Sequence, residues 1–332
     1  MENDFSRLLS DFFLKHLPTE RGFSTNTIKN YRDTFVQLIE YLSMNGINPD
    51  KIAMDDIGYE KIVSFLTWLE NTKKVSTSTR NNRLAGIKSF FKYVSYHEPK
   101  YLHLCSLILE ISQKKTASVP MNYLTVEALK GLLKVFNQEN KKELRDFCIV
   151  LLLYESGARV SELIGIKSYE VRLSSPSTVV LHGKGSKTRI VPIDEYVANT
   201  ISKYVSAYNV HREEYLFFNS RREKLTREGI NHILQKYYKK ARSINPSIYP
   251  EKISPHCLRH SKGMHLLENG VNLIYIRDLL GHASVTTTEI YSKANPEIKR
   301  KHLLEASEKL IDEEDYTSEE KEALLDWLKE KI

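Results

Sequence analysis

The apolar positions along the first third of the chain recur at helical spacing. Ile28, Tyr31, Phe35, Leu38, Ile39 and Leu42 fall on one stripe, which predicts a helix capped by Ser24 or Asn26 and stopped at Gly46. A second helix is predicted through Ile62, Phe65, Leu66 and Leu69, and a third from Thr77 to Tyr96 that buries Leu84, Ile87, Phe91 and Val94. The other side of that third helix carries Asn82, Ser89 and Lys92, with Arg80 and Arg83 near its start. A shorter apolar segment runs from Leu102 to Ile111. The pattern predicts a compact helical bundle over residues 1–112.

The periodicity then breaks. The stretch from Ser112 to Pro120 is polar, basic and closed by proline, so residues 113–121 are expected to form an interdomain linker. A second domain, 122–311, opens with a helix start at Thr125 and holds an apolar run from Phe147 to Tyr154 that predicts a buried helix ending near Gly157. The clear strand signal lies between Ser177 and Ile193: two β-rich runs flank a Gly-Lys-Gly turn, which predicts a hairpin. Beyond Arg227 the pattern is helical. In the tail, 312–332, Thr317 and Glu320 form a capping-box pattern ahead of an apolar stripe of Leu324, Leu325, Trp327, Leu328 and Ile332. So short a helix is marginal alone in water and is expected to dock, either on its own domain or on a neighbouring protomer.

Composition adds mainly charge. With 332 residues, 41% apolar and 27% charged, the chain has the makeup of a globular protein and the length of two domains. The longest apolar run is far shorter than a membrane span, and an opening on Glu2, Asn3 and Asp4 predicts no secretory leader. Cys105, Cys148 and Cys257 are too scattered for a zinc pair or a disulfide framework, which suits a reducing cytoplasm. The net charge of +7 hides an asymmetry: nine acids and three lysines give residues 312–332 a net of −6, leaving +13 on the rest. A basic body of that kind points to a polyanionic partner, nucleic acid first.

Candidate chemistry is concentrated in the second domain. Arg159 stands where a helix stops at Gly157 and another begins, with Glu162 close enough to orient it. Lys184 sits between Gly183 and Gly185 at the hairpin tip. Ser254 and Pro255 make a good helix start, and His256 and Arg259 share a face in its first turns, where exposed backbone N–H groups favour an anion. His256 and His260 also have the spacing of two metal ligands, but Cys257 stands where a metalloprotease helix needs glutamate, and Arg259 would repel a cation. No metal is therefore expected there. His282 follows Gly281, and Tyr291 lies nine residues further on.

In this order, and with the blocks Arg159-Val160-Ser161-Glu162-Leu163 and Leu279-Leu280-Gly281-His282, the chain resembles the tyrosine recombinase (phage integrase) family, most closely its Xer-like and transposon-encoded members. Cys257, where the family often has aspartate, and Ser261-Lys262-Gly263 depart from its usual pattern. The resemblance implies a mainly α fold with a small β-hairpin or sheet: an N-terminal helical core-binding (SAM-like) domain and a mixed α+β catalytic domain. It implies site-specific recombination through a 3′-phosphotyrosine at Tyr291, without metal or other cofactor, for integration or excision of a mobile element or, as the alternative, for Xer-like resolution of chromosome dimers. Arg159 and Arg259 would neutralise the phosphate, Lys184 would protonate the leaving 5′-oxygen, His256 would assist proton transfer from the tyrosine, and His282 would hydrogen-bond the phosphate.

The expected partner is double-stranded DNA held in a clamp, with Arg80, Asn82, Arg83 and Lys92 on the N-terminal side, Lys114 in the linker, and Lys187 and Arg189 on the hairpin. A homotetramer on two duplexes, joined through the tail, and accessory DNA-bending or partner recombinase proteins are further expectations. Three other readings share some of these features: a type IB topoisomerase, a DNA-binding regulator on a degenerate catalytic fold, and a zinc hydrolase.

Overall fold

The computed structural model describes residues 4–116, 121–183 and 187–282, with the single positions Ser284, Thr288 and Tyr291. The chain divides into two compact units, residues 1–119 and 120–332.

The first unit is helical. Helix α1 (Asp4–Asp11) continues as a π-helical segment, Phe12–Glu20, followed by α2 (Thr25–Met44), α3 (Tyr59–Asn71), α4 (Thr77–His97) and α5 (Leu102–Glu110). Ser24, the first of the two anticipated caps, accepts the Thr27 N–H and starts α2. The π-helical segment was not anticipated. Its buried residues Phe12 and Leu17 are five apart, a step that suits the wider π turn better than the 3.6-residue α turn. Phe12 and Phe35 pack on Phe90 with ring centroids 5.4 and 5.2 Å apart, so aromatic edges fill the middle of the bundle.

Arg80 is a correction to the expected DNA-facing set. It is only 6% exposed, and its guanidinium donates to Asn81 Oδ1 and to the carbonyl of Ser112. Asn81 exchanges two hydrogen bonds with the backbone of Lys114, whose ammonium pairs with Glu70 at 2.6 Å. The first residues of the expected linker are thus tied back onto α3 and α4. Arg83 also turns inward, donating to Asn30 and Thr34 across to α2. Asn82 and Lys92 are exposed, as expected.

The second unit is built around α7 (Lys141–Ser156), buried along most of its length from Leu144 to Leu153 and therefore apolar on nearly every side. Around it stand α6 (Val126–Lys134), α8 (Val160–Leu163), α9 (Glu195–Tyr208), α10 (Arg227–Ile244), α11 (Pro255–Glu268) and α12 (Leu273–Leu280). The predicted hairpin is β2 (Thr178–His182) against β3 (Thr188–Pro192), with Val179 opposite Val191 and Leu181 opposite Arg189. A two-residue strand β1 (Val171–Arg172), which the sequence pattern did not predict, completes a three-stranded antiparallel sheet in the order β1-β2-β3. No helix among the described residues is long and apolar enough to cross a membrane. The tail helix expected over 317–332 lies outside the described residues.

Candidate active site

Gly157 ends α7 in the left-handed conformation, φ 57°, and two residues later Arg159 serves as the N-cap of α8. One turn into α8, the buried Glu162 accepts the Arg159 backbone N–H at 2.8 Å and Arg159 Nη1 at 2.8 Å. The same carboxylate takes both terminal nitrogens of Arg189 from β3, at 3.1 and 2.7 Å. Burial alone would raise the Glu162 pKa, but the hydrogen bonds from Arg189 and Arg159 outweigh it and hold the group below the usual carboxylate range. Arg189 is therefore a second correction. Its Nε donates to the carbonyl of Leu279 at 2.8 Å, and its side chain is 13% exposed, so it braces the site from inside.

The brace reaches the end of α12, where Gly281 adopts φ +63°. A Cβ at Gly281 would stand 2.9 Å from Arg189 Nη1, so this position needs glycine for both its conformation and its space. Arg159 Nη2 donates to the Gly281 carbonyl at 3.2 Å. The arrangement places Arg159, Arg189 and the turn leading to His282 around one carboxylate. Beside it lies a cleft of about 390 Å³ lined by Arg159, Lys187, Arg189, Asp278 and His282. Lys187 is exposed at this cleft, whereas Lys184 lies outside the described residues.

Arg259, on α11, is 1% exposed, and its terminal nitrogens donate to the carbonyls of Gly157 and Leu280. Burial, helped by the charge of Arg159, lowers its pKa to about 10, which leaves it cationic at neutral pH. Tyr291 is fully buried against the same helix: a Cβ at Gly263 would stand 2.6 Å from its Cζ, so glycine makes room for the ring. The departure at Ser261-Lys262-Gly263 thereby acquires a purpose.

The group at the tyrosine hydroxyl is His260, whose Nδ1 lies 3.3 Å from Tyr291 Oη. His256, expected in that position, sits exposed one turn earlier, its ring centroid 4.5 Å from that of His260. His282 stacks parallel to Tyr291 at 6.4 Å, and its Nδ1 is hydrogen-bonded to Thr288 Oγ at 3.0 Å. Burial, then neighbouring histidine and arginine charge, pushes His260 down to about 4, and burial with Arg259 and Arg159 does the same to His282. Burial pushes Tyr291 up to about 12, against the opposing pull of the two arginines. By spacing alone His260 stands out only as a possible metal ligand, because its contact with Tyr291 spans 31 positions.

Comparison with known proteins agrees with this architecture. Residues 122–297 match the phage integrase family and residues 11–96 match the phage integrase N-terminal SAM-like domain. A putative integrase/recombinase, y4rC, of Sinorhizobium fredii is 31% identical over 90% of this chain and 91% of its own. Tyrosine recombinase XerC of Staphylococcus epidermidis is 28% identical over 90% of this chain and 96% of its own. The fold is shared with the XerH site-specific recombinase bound to a palindromic difH substrate: TM-score 0.69, 20% identity, 86% of this chain and 82% of that one. It is shared too with the Tn1549 transposon integrase in complex with a circular intermediate DNA: TM-score 0.68, 18% identity, 90% of this chain and 99% of that one. The chain belongs to the phage integrase family of tyrosine recombinases, enzymes of site-specific DNA recombination.

Proposed function

We propose that Tyr291 is the nucleophile of this recombinase and that the groups around it carry a transesterification at a DNA phosphate. One observation supports this above the others: the Tyr291 hydroxyl meets a histidine nitrogen at 3.3 Å on the same helix that carries Arg259. In the reaction the Tyr291 Oη–phosphorus bond forms as the phosphorus–O5′ bond breaks, leaving a 3′-phosphotyrosine and a free 5′-hydroxyl. With its pKa near 12, the phenol does not ionise beforehand, so its proton leaves as the new bond forms. His260 is neutral, and in the tautomer with hydrogen on Nε2 its Nδ1 accepts that proton. The negative charge of an arriving phosphate raises the affinity of this ring for a proton, in step with the transfer.

Arg159 and Arg259 supply the positive charge that meets the developing phosphorane. The terminal nitrogens of Arg259 each keep a second N–H beyond the one given to a carbonyl. Losing one such positioned donor typically lowers the rate by about 10²–10³. Lys184 protonates the departing 5′-oxygen, and His282 hydrogen-bonds a phosphate oxygen. Attack by the 5′-hydroxyl of a second duplex reverses the first step and conserves the bond energy, so no nucleotide cofactor is needed.

The proposed substrate is a pair of double-stranded DNA recombination sites. The XerH and Tn1549 integrase structures are themselves DNA complexes, which supports this reading. Asn82, Lys92 and Lys187 are the exposed groups proposed to touch phosphates. Full exchange between two duplexes cuts both strands of each, one tyrosine per strand, hence a proposed tetramer, with residues 317–332 as the proposed link between protomers and accessory proteins where a site must be bent. Integration or excision of a mobile element is the proposed role, with Xer-like resolution of chromosome dimers as the alternative; relatives named integrase/recombinase and tyrosine recombinase XerC both match.

The test is strand exchange between two differently marked duplexes that carry the site. Joined recombinant product that disappears in Arg159→Ala is expected. Relaxation of supercoiled DNA without any joined product would assign the chemistry to a topoisomerase instead.

A further inference from the structure

Away from the recombination chemistry, three potential metal ligands converge in the N-terminal bundle. His16 and Glu20 occupy the last turns of the π-helical segment, and His97 is the final residue of α4. Their ligand atoms all lie within 4.8 Å of one another, and His16 Nδ1 stands 2.5 Å from Glu20 Oε2. We propose that His16, Glu20 and His97 form a zinc-class divalent-metal site that clasps the N-terminal segment to the end of α4.

The donor set is two imidazoles and one carboxylate, the borderline N/O chemistry that Zn²⁺ and its first-row neighbours accept, with water completing a tetrahedron. The imidazoles are held in place by aromatic packing. Tyr93 packs beside both, its ring centroid 4.8 Å from His16 and 4.3 Å from His97, and Phe12 stacks on His16 at 5.8 Å. The two histidine rings are 6.5 Å apart. Ligand atoms around tetrahedral zinc stand roughly 3.4 Å apart, from bond lengths near 2.1 Å. Small rotations of the exposed Glu20 and His97 side chains therefore close the set with the backbone in place.

The surrounding cations do not compete for the carboxylate. Lys15 pairs with Asp11 at 2.6 Å, Arg7 pairs with Glu98 and Asp4, and Arg21 lies over the Phe23 ring at 5.6 Å. A π-helical segment has poorer hydrogen-bond geometry than an α-helix, and it recurs where function holds it in place. An ion binding His16 and Glu20 from one turn to the next, and His97 from another helix, would supply such a hold.

The experiment is zinc titration of the full chain after chelator treatment, by calorimetry, with Co²⁺ absorption as a report of tetrahedral geometry. His97→Ala and Glu20→Gln are compared with wild type, and circular dichroism of the metal-free proteins checks that both variants fold. One equivalent of zinc is expected on the wild type, with affinity lowered at least about 10–100-fold in His97→Ala, the loss that follows removal of even an outer partner of a ligand. At zinc a hundredfold above the wild-type Kd, wild-type Tm should rise by roughly 5–10 °C, and at the same zinc concentration that rise should fall to about half or less in His97→Ala. Failure of the wild type to bind zinc overturns the proposal. So does undiminished binding by His97→Ala, which would move the ion elsewhere, for example to the His256 and His260 pair.

Discussion

Glu162 is the residue on which the geometry of the site most depends, and its removal can be given a magnitude. The carboxylate is 5% exposed and accepts four hydrogen bonds: two from Arg189 and two from Arg159, one of them from the backbone. The Arg189 side chain is 13% exposed, so Glu162→Ala strands a largely desolvated guanidinium, a loss of about 3–5 kcal/mol. The Arg159 side chain is 36% exposed, and water screens its share, which adds less than about 1 kcal/mol. At ~2–4 °C per kcal/mol for a unit of this size, Tm should fall by roughly 6–20 °C. Arg159 also loses its anchor, and a displacement of about 1 Å at a reacting group can lower the rate about 10²-fold.

The isosteric Glu162→Gln separates charge from shape. A carboxylate whose folded pKa lies below its unfolded value stabilises the fold above the unfolded pKa, near 4.3, and loses that contribution as pH falls through the folded value. The stability gap between wild type and Glu162→Gln should thus be full at neutral pH and shrink below about pH 4. The assay is thermal or urea unfolding at several pH values, combined with single-turnover cleavage and a double-mutant cycle against Arg189→Ala. A coupling energy under about 0.5 kcal/mol, or an unchanged cleavage rate in Glu162→Ala, would refute the bracing role.

Other consequences follow from neighbouring contacts. Gly263→Ala places a methyl group 2.6 Å from Tyr291 Cζ, so it should lower single-turnover cleavage by about 10²-fold while costing about 1–3 kcal/mol in unfolding experiments. On the DNA-free protein, NMR titration of the His260 and His282 ring protons should give midpoints about 4, and midpoints near 6.5 would contradict the burial described here. Because these folded values lie below the unfolded one, both rings should erode stability as pH falls from about 6.5 to about 4. Lys92→Ala and Lys187→Ala should each reduce the salt slope of DNA binding by about 1, whereas the buried Arg80→Ala should lower stability and leave that slope intact.

Much of this was legible in the sequence, and the misses have physical causes. Helices α2 to α5 of the bundle, the buried α7 and the β2–β3 hairpin follow from apolar period and turn residues alone; α1 does not. Arg80 was read as a surface charge by residue type. Its spacing to Leu84, Ile87 and Phe91 places it on the apolar stripe of α4, where the structure buries it. Arg189 is similar: two residues from the buried Val191 on β3, it shares that residue's face and stands opposite Leu181, so strand period puts it on the inner side of the hairpin. Both positions show that period outweighs residue type when a long arginine has carbonyls or a carboxylate within reach. His260 and Gly263 could not be assigned in this way, because their roles arise only when the chain returns with Tyr291 against α11. The π-helical segment escaped because a five-residue apolar step looks aperiodic to a 3.6-residue template.

The proposed chemistry turns on a covalent bond between Tyr291 and DNA. The most direct measurement is trapping on a nicked suicide substrate carrying the recombination site, read as a denaturation-resistant protein–DNA species and mapped by peptide sequencing. An adduct is expected on the peptide containing Tyr291 and absent in Tyr291→Phe, with DNA binding by that variant nearly unchanged. An adduct that persists in Tyr291→Phe, or a loss of binding as large as the loss of cleavage, would contradict it.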